Sequence, residues 1–205
     1  IFFDLDKNSN KNSKLPHMLT SKSDWEAIIS KFGIKNSDHV VIYDNSDLIS
    51  SCRVWYNFLY FGHNPNLVSV LNGGLKKWLS EKKQTTKEIK HFTNSNYFAK
   101  ENLDLVLSKF QIDLNIKNKN IEIIDARSKE RFIGLHPEPR KELRSGNIEG
   151  SKNLPYTDLI KNLINLYDKK QLYAVVQQAK THTKQYPQAS ILWNILGAAN
   201  SGLGQ

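Results

Sequence analysis

The feature that most constrains this chain is an alternation of two hydrophobic periods within its first 84 residues. Residues 22–33 carry Trp25, Ile28, Ile29 and Phe32 at helical spacing, with Ser23 placed to cap the N-terminus. Val40-Val41-Ile42-Tyr43 follows as a short continuous apolar run ending in Asp44-Asn45-Ser46, which reads as a buried strand and a turn. An aromatic-rich helix is expected over 48–61, stopped by Gly62. Leu67–Leu71 is a second buried-type strand, closed by Asn72-Gly73-Gly74, and a short helix with Trp78 runs from Leu75 to about Lys83. Helix, buried strand and helix in succession predict an α/β fold with a parallel sheet.

Residues 84–101 are polar and weakly periodic, as an interdomain connector would be. The pattern then restarts, with a short helix over Asn102–Phe110 and a buried strand over Ile121–Asp125. A long loop rich in Pro and Gly spans about 126–156. After Ile160 the character changes to helices over 161–185, a break at Pro187 and a new helix from Ser190. The expected organisation is therefore a first domain over 1–84, a connector over 85–101, the beginning of a second domain over 102–160, and a helical tail over 161–205. The start at Ile1 and the loop-like Gly202-Leu203-Gly204-Gln205 are what a segment of something longer would show.

Charge narrows the function classes. There are 29 Lys and Arg against 20 Asp and Glu, a formal charge of +9. The lysines are dispersed, without the aromatic-interleaved stripe of a nucleic-acid surface, so nucleic acid is not the expected partner. The arginines are only Arg53, Arg127, Arg131, Arg140 and Arg144, and four of them fall between 127 and 144. A planar guanidinium suits carboxylates, sulfates and phosphates, which points to a local site for a small anion. Glu130, Glu138 and Glu142 are interleaved with them, so a salt-bridged loop is the other reading of the same spacing. No apolar stretch reaches the length of a membrane span. The single cysteine, Cys52, excludes a disulfide framework and multi-cysteine zinc sites, and fits a reducing, cytoplasmic setting. It falls inside the 48–61 helix beside Val54 and Trp55, where a small core residue is the ordinary role. No cofactor and no metal is expected.

Several stretches together resemble the tandem-domain sulfurtransferases, rhodanese and 3-mercaptopyruvate sulfurtransferase. In the first domain they are Phe2-Phe3-Asp4-Leu5-Asp6, Leu15-Pro16-His17-Met18-Leu19, Arg53-Val54-Trp55-Tyr56, Phe61-Gly62-His63 and Val70-Leu71-Asn72-Gly73-Gly74. In the second they are Asp125-Ala126-Arg127, Arg131-Phe132-Ile133-Gly134, Pro137-Glu138-Pro139-Arg140, Ser145 to Gly150 and Asn153-Leu154-Pro155-Tyr156. The resemblance covers about residues 1–160. It implies a rhodanese-like parallel-sheet domain followed by an incomplete second one. It also implies an anionic sulfur donor, thiosulfate or 3-mercaptopyruvate, and a thiol or cyanide acceptor. By motif position the substrate-binding arginines are Arg131 and Arg140, and the supporting catalytic pair is Asp6 and His17; otherwise His17 is a loop histidine capping a turn. Asn147 stands where the family has His. The family's nucleophile is a cysteine in a loop after a later strand of the second domain, becoming a persulfide during turnover. Cys52 does not match that position, whose first-domain counterpart is near Asp44, so the chain as given is expected to be inactive.

The tail resembles a different family, the tetratricopeptide repeat. Leu172, Val175 and Ala179 lead to Pro187, and Trp193, Leu196 and Gly197 follow at that family's spacing. A generic pair of amphipathic helices is the alternative. The resemblance implies a protein partner, although one repeat alone makes no groove and is marginally stable. A switch of family near residue 160, in mid-domain, is what a fragment, a chimera or a degenerate fusion would give.

Overall fold

The computed structural model of the chain describes residues 1–46, 49–139 and 143–158. Arg140 and the whole helical tail, 161–205, lie outside the described residues. The described chain divides into two units, Ile1–Val106 and the residues from Leu107 onward.

In the first unit the elements are α1 (Lys22–Lys31), β1 (Val40–Ile42), α2 (Ile49–Tyr60), β2 (Val68–Val70) and α3 (Gly74–Ser80). β1 and β2 pair in parallel, with Val40 opposite Val68 and Ile42 opposite Val70. α2 is the crossover between them and packs on both strands. Val54, Trp55 and Phe58 project from one face of α2 at positions i, i+1 and i+4, and Phe61 continues that face just past the helix. They meet Trp25 and Ile29, one helical turn apart on α1. The Trp25 and Phe61 rings stack with centroids 4.7 Å apart, and Phe58 meets Trp25 edge-on at 5.2 Å. Each such buried aromatic side chain contributes about 1.5–3 kcal/mol by removing apolar surface from water.

Some sequence expectations are corrected. The N-cap of α1 is Ser21, not Ser23: Ser21 Oγ accepts the Asp24 N–H and donates to the Asp24 carboxylate. The run 40–43 is not buried on both faces. Val41 is 55% exposed, because α2 covers only the side on which Val40 and Ile42 point. The expected connector, 85–101, is irregular throughout, but from Ser95 it lies as an extended strap against the first unit. Ser95 and Tyr97 N–H donate to Ser30, Ala99 N–H to Glu26, Lys100 N–H to the Phe61 carbonyl and Asn102 N–H to the Tyr60 carbonyl. Tyr97 and Ala99 thereby enter the core. The strap passes so close to Gly62 (φ +79°) that a Cβ there would stand 2.5 Å from the Lys100 carbonyl oxygen, so the glycine serves both the backbone turn and the contact.

In the second unit the elements are α4 (Lys109–Asn118), β3 (Ile124–Asp125), α5 (Lys129–Phe132) and β4 (Lys152–Asn153), with β3 and β4 parallel. The expected helix over 102–110 is instead a single 3-10 turn, Leu103–Leu105, and the α-helix begins at Lys109. Ser108 and Gln111 form a capping box there, each side chain satisfying the other's backbone N–H. The expected buried strand over 121–125 pairs only at Ile124 and Asp125. Ile121 instead gives its N–H and C=O to the buried Asn115 side chain, both at 2.7 Å. The expected long loop holds α5 and β4. No helix among the described residues is long and apolar enough to cross a membrane.

Candidate functional site

The polar loop 8–14 returns the chain on itself in the first unit. Asn8 N–H closes a turn on the Asp4 carbonyl, and Asn10 N–H reaches the Met18 carbonyl, both at 3.0 Å. This brings two residues eleven positions apart into contact, and Asp6 Oδ1 lies 2.7 Å from His17 Nε2. The Asp6 side chain is 82% exposed and that of His17 41%. A carboxylate on one ring nitrogen fixes the orientation of an imidazole. The structure thus brings together Asp6 and His17, the two residues paired in the sequence reading.

At the carboxyl end of β1 the loop is closed by its own acid. Asp44 Oδ1 accepts the Ser46 N–H at 3.1 Å and Oδ2 the Ser51 N–H at 2.8 Å. Burial works against the charge, yet the Ser51 and Ser46 hydrogen bonds outweigh it and hold the carboxyl below its ordinary range. One N–H of the first turn of α2, that of Ser51, is thus engaged by Asp44. Cys52 is half-buried in α2.

The second unit holds the arginines. Asp125, ending β3, takes Arg127 Nε on both oxygens at 3.0 Å and Arg127 Nη2 at 2.5 Å. Arg127 Nη2 also donates to the Gly146 carbonyl at 2.6 Å, and Nη1 to Glu138 Oε1 at 2.5 Å. Four of the five guanidinium N–H groups are so consumed, which makes Arg127 a structural cross-link. Asp125 raises the Arg127 pKa, with burial opposing and Glu138 adding to the rise. The Glu138 carboxylate is only 2% exposed. Its second oxygen takes Arg131 Nη2, and Arg131 Nε reaches Oε1 at 3.3 Å. Arg131 holds Glu138 well below the usual carboxylate range, against burial and with help from Arg127. Hydrogen bonding from Arg127 likewise lowers Asp125.

Arg131 differs from Arg127 in one respect. Glu138 engages only its side-on edge, and among the described residues nothing else bonds its guanidinium, so three of its five N–H donors have no protein partner there. The salt-bridged loop is present around Arg127, Glu138 and Arg131. Arg144 is exposed. Asn147 donates to the Phe132 carbonyl at 3.0 Å, tying the end of α5 to the following loop. Among the described residues the interleaved glutamate that bridges two arginines is Glu138, and its place between Pro137 and Pro139 restrains the backbone. Among the described residues no three His, Cys, Asp or Glu side chains stand together in a manner that could hold a metal ion.

Comparison with known proteins adds the following. Residues 6–81 match the rhodanese-like domain. A 3-mercaptopyruvate sulfurtransferase of Mus musculus is 34% identical over 163 residues, covering 78% of this chain and 54% of the mouse protein. The thiosulfate/3-mercaptopyruvate sulfurtransferase 2 of Arabidopsis thaliana is 35% identical over 225 residues, covering 100% of this chain and 62% of the plant protein. The 3-mercaptopyruvate sulfotransferase SseA of Escherichia coli superposes with a TM-score of 0.69 at 30% identity, covering 78% of this chain and 58% of its own. The chain spans a little over half the length of such relatives.

Proposed function

We propose that this chain, whose residues 6–81 match the rhodanese-like domain, is the donor-binding portion of a sulfurtransferase. Its donor is thiosulfate or 3-mercaptopyruvate, and the acceptor of the sulfane sulfur is a thiol or cyanide. The observation that carries this reading is the open edge of Arg131, oriented by Glu138, in a chain similar to thiosulfate and 3-mercaptopyruvate sulfurtransferases. Arg131 and Arg140 bind the donor's anionic group. Asp6 and His17 orient and move a proton during sulfur transfer. Such transfer needs a thiolate to take the sulfur, and the one cysteine of this sequence, Cys52, is half-buried in the first turn of α2. The chain as given therefore binds donor without turning it over. The setting is reducing and cytoplasmic, and the tail, read from its sequence as tetratricopeptide-like, supplies a protein contact that a pull-down with the full chain would detect.

Two measurements on the full chain test the reading. Thiosulfate and 3-mercaptopyruvate are expected to bind saturably, and failure of both to bind would overturn the donor assignment. Thiocyanate formation from thiosulfate and cyanide is expected at background. Turnover abolished by Cys52→Ser would contradict the assignment of Cys52 to the scaffold.

A further inference from the structure

Among the described residues, three other than glycine have left-handed backbone, His17 (φ 59°), Lys82 (φ 55°) and Lys119 (φ 53°). Lys119 is the C-cap of α4, and Lys82 bonds back to Leu79 just past α3, so both occupy the helix-terminal position where this conformation is common. His17 has no helix before it. It follows Pro16 in a loop, and its conformation needs support from elsewhere in the fold. That support is visible. Arg53 Nη2, from α2, donates to the His17 carbonyl at 2.5 Å across 36 positions of sequence.

Arg53 itself is placed at a cost. It is half-buried, with no carboxylate in ion-pair range among the described residues, and its Nε is buried without a hydrogen-bond partner. Burial lowers its pKa, against a small opposing influence of Tyr56. The Tyr56 ring, 5.8 Å from the guanidinium carbon, offers partial compensation, and its hydroxyl is tied to the Leu105 carbonyl at 2.5 Å. A guanidinium withdrawn from water without a counter-charge is a poor stabiliser of a helix face, and an apolar side chain of similar length would pack there more cheaply. What the arginine provides that an apolar residue cannot is the hydrogen bond to the His17 backbone.

We propose that Arg53 is a positioning residue, whose guanidinium holds residue 17 in the conformation that brings its imidazole against Asp6. The same side chain therefore sets where the His17 ring stands and how tightly it couples to the carboxylate. This deepens the proposed function, since it rests on reading Asp6 and His17 as a working pair.

The test follows the coupling rather than stability. In the 15N-labelled full chain the His17 ring signals, identified by their loss in His17→Gln, are expected to move on Asp6→Asn. In an Arg53→Gln background that displacement is expected to be lost, and Arg53→Lys, which keeps charge and a donor, is expected to restore part of it. An Asp6→Asn displacement of undiminished size in Arg53→Gln overturns the proposal. Should Arg53→Gln fail to fold, Arg53→Met keeps the buried stem and decides the matter by the same criterion. A melting temperature lowered by any of these variants is not the readout, because a helix-packing role would lower it equally. Thiosulfate that leaves the His17 signals of the natural chain unmoved would count against the acid–base assignment in the proposed function, while the Asp6→Asn comparison still decides the role of Arg53.

Discussion

The two units are held together by different chemistry. In the first the buried residues are mainly apolar, Trp25, Ile29, Phe58 and Phe61 at the centre. In the second, the buried ones among the described residues are Asn115 and Glu138. Asn115 splints the end of α4 to Ile121, Glu138 joins Arg127 to Arg131, and Asn153 Nδ2 donates to the Asp125 and Arg127 carbonyls. An apolar core is indifferent to charge and tolerates shape changes badly. A polar network tolerates shape but fails when one member loses its proton state or partner. The first unit is thus suited to be a scaffold, and the second to hold a guanidinium at a set orientation.

The largest expected effect lies in the first unit. Phe58→Ala should cost about 3–5 kcal/mol in chemical denaturation followed by tryptophan fluorescence, from lost burial and the cavity left behind. The arginine side-chain signals of the second unit should survive while the chain is folded; their loss in parallel would break the comparison.

Glu138→Gln is the converse experiment. Removing the charge takes from Arg127 one of its two carboxylate partners and from Arg131 its one carboxylate partner among the described residues. Hydrogen exchange at the backbone N–H groups of 132–136, which close α5, should accelerate, with exchange on α2 unchanged. Acid should act in the same place. Asp125 and Glu138 both have lowered pKa values, so their contribution is present above the ordinary carboxylate range, about 4, and is lost as pH falls through their depressed values. Alkali should strike the other unit. Burial pushes Tyr97 up to about 12, so the protonated phenol favours the folded state, and this contribution is lost as pH rises from about 10 towards 12. It amounts to about 1–2 kcal/mol once screening is allowed for, and Tyr97→Phe should flatten the alkaline limb. The smallest effect is expected of Ser108→Ala, about 1 kcal/mol from the lost capping box, read as fraying of α4.

What could be read from the sequence divides along the same line. β1, α2 and β2 were legible because continuous β-branched runs and an aromatic helical face are local signals, and Gly62 ends α2 where expected. The strap from Ser95 was not, because its partners lie far off in sequence, Ser30, Asn36 and Glu26 more than 60 positions away. The start of α4 was misplaced although Ser108 and Gln111 stand at capping-box spacing, since Asn102 offers a cap of its own, used for a 3-10 turn. The arginines between 127 and 144 were legible as a cluster. Which of them is locked and which keeps an open edge depends on Glu138 folding back between them, and no spacing rule states that.

The central claim is that Arg131 presents that edge to a sulfur donor. It is tested most directly by titrating the full chain with thiosulfate in the calorimeter, alongside Arg131→Ala. A lost charge-assisted hydrogen bond of about 1.5–3 kcal/mol corresponds to weakening of roughly tenfold or more. Saturable binding that weakens by that much in the variant is the predicted result. Binding of equal strength in both proteins would contradict it.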